Sequence, residues 1–572
     1  MNIPRLQRLL AVARGDTPAD LLLRGGRVVN TLSCEIEDVS VAVADGRVVG
    51  LGDYEAREVV DLKGAYLAPS LIDGHIHIES SLLSPVEFAR TVVPWGTGAV
   101  VCDPHEIANV CGEAGIEYML AATEKVPLDV FVMLPSCVPA THMETSGAEL
   151  TAERLKPFLS HPRVLGLAEV MNFPGVVFGD ESVLGKIALA EGRPVDGHAP
   201  GVSGKWLNAY VTAGIATDHE STTAEEAEEK LRRGMYVLIR EGSTARNLEA
   251  LLPLVTPARA HRFAFVSDDR HADDLIREGH LNATLTKAVA RGLDPVLAVA
   301  MASSHTAAIF GRRDIGAIAP GRRANFVAFQ DLTSFRPHRV WRDGILVAQD
   351  GQLTSDLRDV PAAAVRGSVR IPKLTLADLA VAATSEAIRI IDVIPDQIVT
   401  GSSTARLPVR DGAWQADTTQ DIAKLLVIER HGCTGNVGKG FARGFGITRG
   451  ALASTVAHDS HNLICLGVSD EDMLRAVEVL ADGGGGLVVV EGGQTIAHLP
   501  LPVAGLMSGE PATAVVKAIE SLHEAARSIG CRLAAPFMAL SFLALPVIPH
   551  LKLTDRGLVD VDRFQFVDLA VS

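Results

Sequence analysis

Between Ala65 and Asp268 the chain sets down eight short apolar runs, each followed by a polar stretch, and this repeat constrains the fold more than any other feature. The runs are Ala65–Ile72, Ala99–Asp103, Val130–Leu134, Val164–Ala168, Pro194–Gly197, Gly214–Asp218, Tyr236–Arg240 and Phe263–Ser267. They recur at intervals of roughly 20 to 35 residues, and segments between them, such as Ala224–Arg233, are polar and helix-forming. Strand, loop and helix repeated in this way predict an α/β fold, a parallel (β/α)8 TIM-like barrel. All strands of such a barrel end on one face, where active sites are built.

The ends of these runs carry the chemistry. Ile72-Asp-Gly-His-Ile-His77 follows the first run. Residues two apart on a strand project to the same side, so His75 and His77 offer two nitrogen ligands together. Later runs lead to Glu169, His198, His219 and Asp268. Residues far apart in sequence are thus expected to converge on one metal site. Asp103-Pro-His-Glu106 follows the second run, which puts His105 and Glu106 on the same face, and Pro104 restricts the turn that presents them. A catalytically silent scaffold is disfavoured, because a binding module has no reason to hold several desolvated acids and imidazoles in one place.

The order His-x-His, carboxylate, His, His, Asp resembles the amidohydrolase superfamily. Longer words narrow the resemblance to the bacterial adenine deaminases: Asp73-Gly-His-Ile-His-Ile-Glu-Ser-Ser81, Cys102-Asp-Pro-His-Glu-Ile-Ala-Asn109, Ala168-Glu-Val-Met-Asn172, Asp196-Gly-His-Ala-Pro200 and Thr217-Asp-His-Glu-Ser221. The tail adds Ala457-His-Asp-Ser-His-Asn462 and Leu540-Ser-Phe-Leu-Ala-Leu-Pro-Val-Ile-Pro549. The resemblance implies hydrolytic deamination of adenine to hypoxanthine and ammonia, a metal-bound hydroxide attacking C6. It implies two ions, Mn2+ or Fe2+ with Zn2+ compatible. His75, His77 and Asp268 would hold one, His198 and His219 the other, and Glu169 would bridge them where many superfamily members use a carboxylated lysine. Asp268 is the expected proton shuttle. Glu106, His105 and Glu220 are candidates for protonating ring N1 or gripping the purine edge, and Asp103 and Arg240 are further substrate-binding candidates. Another amidohydrolase reaction, on a cyclic amide or an N-acyl amino acid, would share the metals but not the purine-specific words.

A net charge of −16 argues against nucleic acid or an anionic membrane as the main partner, since both need a positive face. The most apolar segment, Phe537–Ile548, is interrupted by Pro546 and too short to span a bilayer. Seven scattered cysteines give no disulfide framework. A cytoplasmic homo-oligomer, dimer or tetramer, acting on a small purine base is expected. The expected division is residues 1–64, an N-terminal helix and the first part of a β-sandwich; 65–315, the barrel; 316–360, the second part of the sandwich; and 361–572, a C-terminal α/β domain. Asp45-Gly46 between alternating apolar residues signals a hairpin. The resemblance implies that both flanks pair into one composite β-sandwich; the chain departs there from many relatives, with Ala324-Asn325 in place of Ala-Asp. Gly432–Gly440 and Gly483–Gly486 lack the Gly-Lys-Ser/Thr ending of a phosphate loop and read as turns. His458-Asp-Ser-His461 reads equally as a locally bonded loop and as a polar wall or auxiliary metal site at the barrel mouth. Asp269, beside Asp268, is expected to face away from the site.

Overall fold

The structure is a computed structural model that describes residues 2–571 apart from Thr244 and Asp396. The eight expected strands are all present: β1 Leu71–Ile76, β2 Thr97–Cys102, β3 Asp129–Leu134, β4 Val164–Val170, β5 Val195–Gly197, β6 Thr217–Asp218, β7 Tyr236–Arg240 and β8 Phe263–Val266. β1 to β5 form one parallel sheet in sequence order and β6 to β8 a second. Two short seams close the ring. Ala216 N–H donates to Val195 O at 3.1 Å between β5 and β6, and Asp268 N–H donates to His75 O at 3.0 Å between β8 and β1. The second seam therefore runs through two of the residues expected at the metal site.

The run Ala65–Ile72, expected as one strand, is two. Tyr66–Pro69 lies in the sandwich between Arg27–Asn30 and Phe326–Phe329, and β1 starts only at Leu71. Proline at position 69 withdraws a ladder donor, and the next donor, Ser70 N–H, goes to Asn325 O at 3.0 Å. The chain changes sheets there, so β1 extends through His75. The sandwich is composite, as expected: a sheet of four strands from residues 19–61 faces one of seven that joins both flanks. Its Asp45-Gly46 hairpin has positive φ at both turn residues, 48° and 74°. Asn325 donates to Asp129 Oδ2 at 3.2 Å, at the start of β3 and so at the end of the barrel away from the site.

The C-terminal region is built on a nine-stranded, mainly antiparallel sheet carrying the helices Asp470–Gly483 and Ala512–Ser528. It lies over the C-terminal ends of the barrel strands. Asn462 donates to Thr145 O at 2.9 Å, and Thr145 N–H donates to Asp555 at 2.8 Å. The glycine-rich turn at 432–435 holds a carboxylate of its own: Glu429 accepts the N–H groups of Cys433, Thr434 and Gly435 at 2.9 to 3.0 Å.

Candidate active site and metal centre

His75 and His77 project to one side of β1, with their Nε2 atoms 3.2 Å apart. Each ring is fixed from behind. His75 Nδ1 lies 2.8 Å from Asp196 Oδ2, and His77 Nδ1 lies 3.0 Å from Asp103 O. A proton on each Nδ1 leaves two Nε2 lone pairs facing each other, an arrangement that a shared cation resolves. Asp268 Oδ1 stands 3.1 Å from His77 Nε2 and 3.5 Å from His75 Nε2.

Glu169, at the end of β4, divides its carboxylate. Oε1 lies 3.2 Å from His77 Nε2, while Oε2 lies 2.7 Å from His198 Nδ1 and 3.3 Å from His219 Nε2. Six side chains from five strand ends thus meet, and all but the partly exposed His198 are buried. Burial opposes charge on these rings, yet Asp196 and Asp268 push His75 up to about 10, and Glu220 and Glu169 push His198 up to about 9. The same carboxylates favour divalent cations. Imidazole and carboxylate donors in this number fit a two-ion centre.

Asp268 has φ +55°. That left-handed residue breaks the strand alternation, and both Asp268 and Asp269 line the cavity. The expectation that Asp269 faces away is therefore corrected. Asp269 instead accepts from the Ser80 hydroxyl, whose oxygen also lies 3.1 Å from Glu106 Oε1, so the two carboxylates compete for one proton.

Arg240 lies between two acids. Nη2 donates to Glu220 Oε2 at 3.0 Å, and Nη1 to Asp268 Oδ2 at 2.7 Å and to Glu220 Oε1. Burial would raise the Asp268 carboxyl, but Arg240, His75 and His77 hold it well below the usual carboxylate range. Asp103 does not line the cavity, and both its oxygens serve His105, at 3.0 Å from N and 3.0 Å from Nδ1. Glu106 does line it, with Oε1 3.2 Å from His458 Nδ1. His142 is exposed beside Phe564, and His280 is bonded between Thr97 and Asp73.

The segment 458–461 brings His458 and Asp459 to the cavity wall. His461 Nδ1 accepts from Ala457 N–H at 3.1 Å, so its proton sits on Nε2, 4.0 Å from Glu106 Oε2. That N–H finds no hydrogen-bond acceptor among the described residues, and the ring has no lone pair to give a metal at this position. The cavity is roofed by Phe542, Leu545, Ile548 and Ile398, with Met171 at its side. Sequence reading assigned none of these five to the site. Asp196 was legible, on β5 two residues before His198 at the strand's end.

Lys552, fully buried, ties the roof together: Nζ donates to Ile398 O and Phe542 O, each at 2.9 Å. Burial pushes its ammonium down to about 7, against an ordinary lysine value of about 10.4. Between those values the unfolded chain keeps this proton while the folded chain releases it. The contribution of Lys552 to stability is therefore least favourable below pH 7 and improves as pH rises through the window. Relative to Lys552→Met, the wild type is expected to gain a few kcal/mol between pH 7 and pH 10, read from urea midpoints. A constant difference across that range would show that the ammonium stays charged.

Two family models match the chain: the amidohydrolase family over residues 66–347 and the adenine deaminase C-terminal domain over residues 397–565. The adenine deaminase of Desulfatibacillum aliphaticivorans is 49% identical over 564 residues, covering 98% of this chain and 99% of that protein. Adenine deaminase 2 of Carboxydothermus hydrogenoformans is 50% identical over 567 residues, covering 99% of this chain and 100% of its own. A crystal structure of dihydropyrimidinase from Brevibacillus agri covers 58% of this chain and 96% of its own, at 16% identity and a TM-score of 0.45. Among the described residues, no helix is long and apolar enough to cross a membrane.

Proposed function

The chain belongs to the adenine deaminase family of amidohydrolases, and from that premise we propose that the roofed cavity is where it hydrolyses adenine to hypoxanthine and ammonia. His75, His77 and Asp268 would hold one divalent ion and His198 and His219 a second, with Glu169 between them. The observation that carries this reading is the division of the Glu169 carboxylate between two histidine pairs. Bound there, the ions would supply a water of lowered pKa and Lewis-acid polarisation. Manganese or iron is the assignment the resemblance favours, and the donor set also accepts zinc. A cytoplasmic homo-oligomer belongs to the same proposal.

Deamination adds water at C6: oxygen bonds to the carbon, the bond to the amino nitrogen breaks, and ammonia leaves. Asp268 takes the proton that the water gives up and returns it to the departing nitrogen. Its Oδ1 faces the histidine pair while Oδ2 is anchored on Arg240, so the carboxylate is held in one orientation. Ring N1 needs a proton as C6 becomes tetrahedral. Glu220 is committed to Arg240 and His105 to Asp103, which leaves Glu106 as the group for that edge. Burial would raise the Glu106 carboxyl, but His458, 3.2 Å away, holds it well below the usual carboxylate range. Glu106 therefore relays to N1 a proton drawn from His458, and the hydroxyl on C6 gives one back as the carbonyl forms. His458 stands behind it; burial opposes charge on that ring, but Glu106 pushes it up to about 9. Arg240 positions Asp268 and Glu220 and, lining the cavity itself, stays a candidate for contact with the base.

Protein loaded with Mn2+ is expected to release ammonia from adenine, one per hypoxanthine formed, with two ions bound per chain. Turnover of hydantoin or N-acyl amino acids in place of adenine would replace this reading with another hydrolysis at the same centre.

A further inference from the structure

We propose that Asp459 accepts the imidazole-ring N–H of adenine and so selects the free base over its nucleosides and nucleotides; the inference rests on the deaminase reading above. Asp459 lines the cavity, is only 3% exposed, and has no hydrogen-bond partner for Oδ2 among the described residues. Its Oδ1 is 3.7 Å from both His105 Nε2 and His458 Nδ1, beyond hydrogen-bonding reach. A buried carboxylate oxygen left without a donor is costly, and a bound ligand that brings one recovers the cost.

The position of Asp459 decides which donor that is. His105 lies between it and the candidate ligands: one ring nitrogen is 3.6 Å from Glu169 Oε1, the other 3.7 Å from Asp459. Asp459 is thus set back from the ligands by the width of an imidazole. Adenine has two kinds of N–H. Those of the 6-amino group must lie at the ligands, because that nitrogen leaves. The other is on the imidazole ring, at the far end of the base, where a set-back acceptor meets it. A nucleoside carries carbon at that nitrogen, so it has no proton to give and must fit a sugar beneath Phe542, Leu545 and Ile548. A site built to bond a donor rejects the analogue lacking it far more strongly than apolar contacts can.

The test uses metal-loaded full-length protein, wild type against Asp459→Ala and Asp459→Asn, with adenine and 9-methyladenine. Turnover, calorimetric binding and metal content are read for each. Adenine binding is expected to weaken by about 10- to 100-fold in both variants. kcat should change less than about threefold, because the bond is made equally in ground and transition states. The preference for adenine over 9-methyladenine should shrink with it, at unchanged metal content. Undiminished adenine binding, an equal loss on both bases, or loss of metal overturns the assignment. Wild-type protein that binds adenine over 9-methyladenine without deaminating it overturns the deaminase reading and leaves the assignment standing.

Discussion

Asp268→Asn is expected to lower kcat for adenine by about 10²- to 10⁴-fold, the range attributed to a positioned acid–base group. The replacement keeps the shape of the side chain, so Arg240 retains an oxygen to bond. It removes the negative charge that faces His75 and His77 at 3.5 and 3.1 Å, and with it the ability to take a proton from water and pass it on. Metal content separates the two roles assigned to this carboxylate. Two ions retained with kcat lost identifies the shuttle; one ion lost identifies the ligand. A variant within tenfold of wild type would remove Asp268 from the proton path altogether. The positive φ of Asp268 makes the position demanding for most residues, but asparagine tolerates that conformation well.

Arg240→Met should be the most damaging single change to stability at the site. The guanidinium is 5% exposed and lies between two acids, Glu220 at 5% and Asp268 at 4%. Methionine fills much of the volume but removes the guanidinium that bonds both carboxylates, leaving Asp268 facing only His75 and His77. Breaking a buried pair from one side costs about 3 to 5 kcal/mol, and two acids share this one cation. The expected result is a lower urea midpoint, with kcat reduced as well because Asp268 loses its anchor. Arg240→Lys keeps the charge but not the fork that bonds Glu220 twice and Asp268 once. It should fall between the two. An unchanged midpoint for the methionine variant would mean that the two acids are neutralised by other means.

The barrel was legible because parallel strands buried on both faces read as continuous apolar runs. The ligand set was legible because metal chemistry admits few residue types at strand ends. Alternation placed His75 beside His77, and it misplaced Asp269, because one left-handed residue at 268 resets the pattern and is invisible to periodicity. The roof was not legible. Ile398 and Phe542 reach the cavity from a domain whose docking leaves no periodic trace, and the apolar run around Phe542 reads equally as core. Asp459 sat in a segment with two readings of equal weight. Only the fold showed one of its oxygens buried at the wall without a donor.

Pairing Tyr66–Pro69 with Phe326–Phe329 also governs the order in which this molecule can be made. On the ribosome the N-terminal strands emerge first, and the edge at Tyr66–Pro69 stays open until the entire barrel and the next segment have been translated. An unpaired apolar edge is a site for wrong partners. The nascent chain therefore carries that open edge throughout synthesis of the barrel, and completion of the sandwich is what closes it.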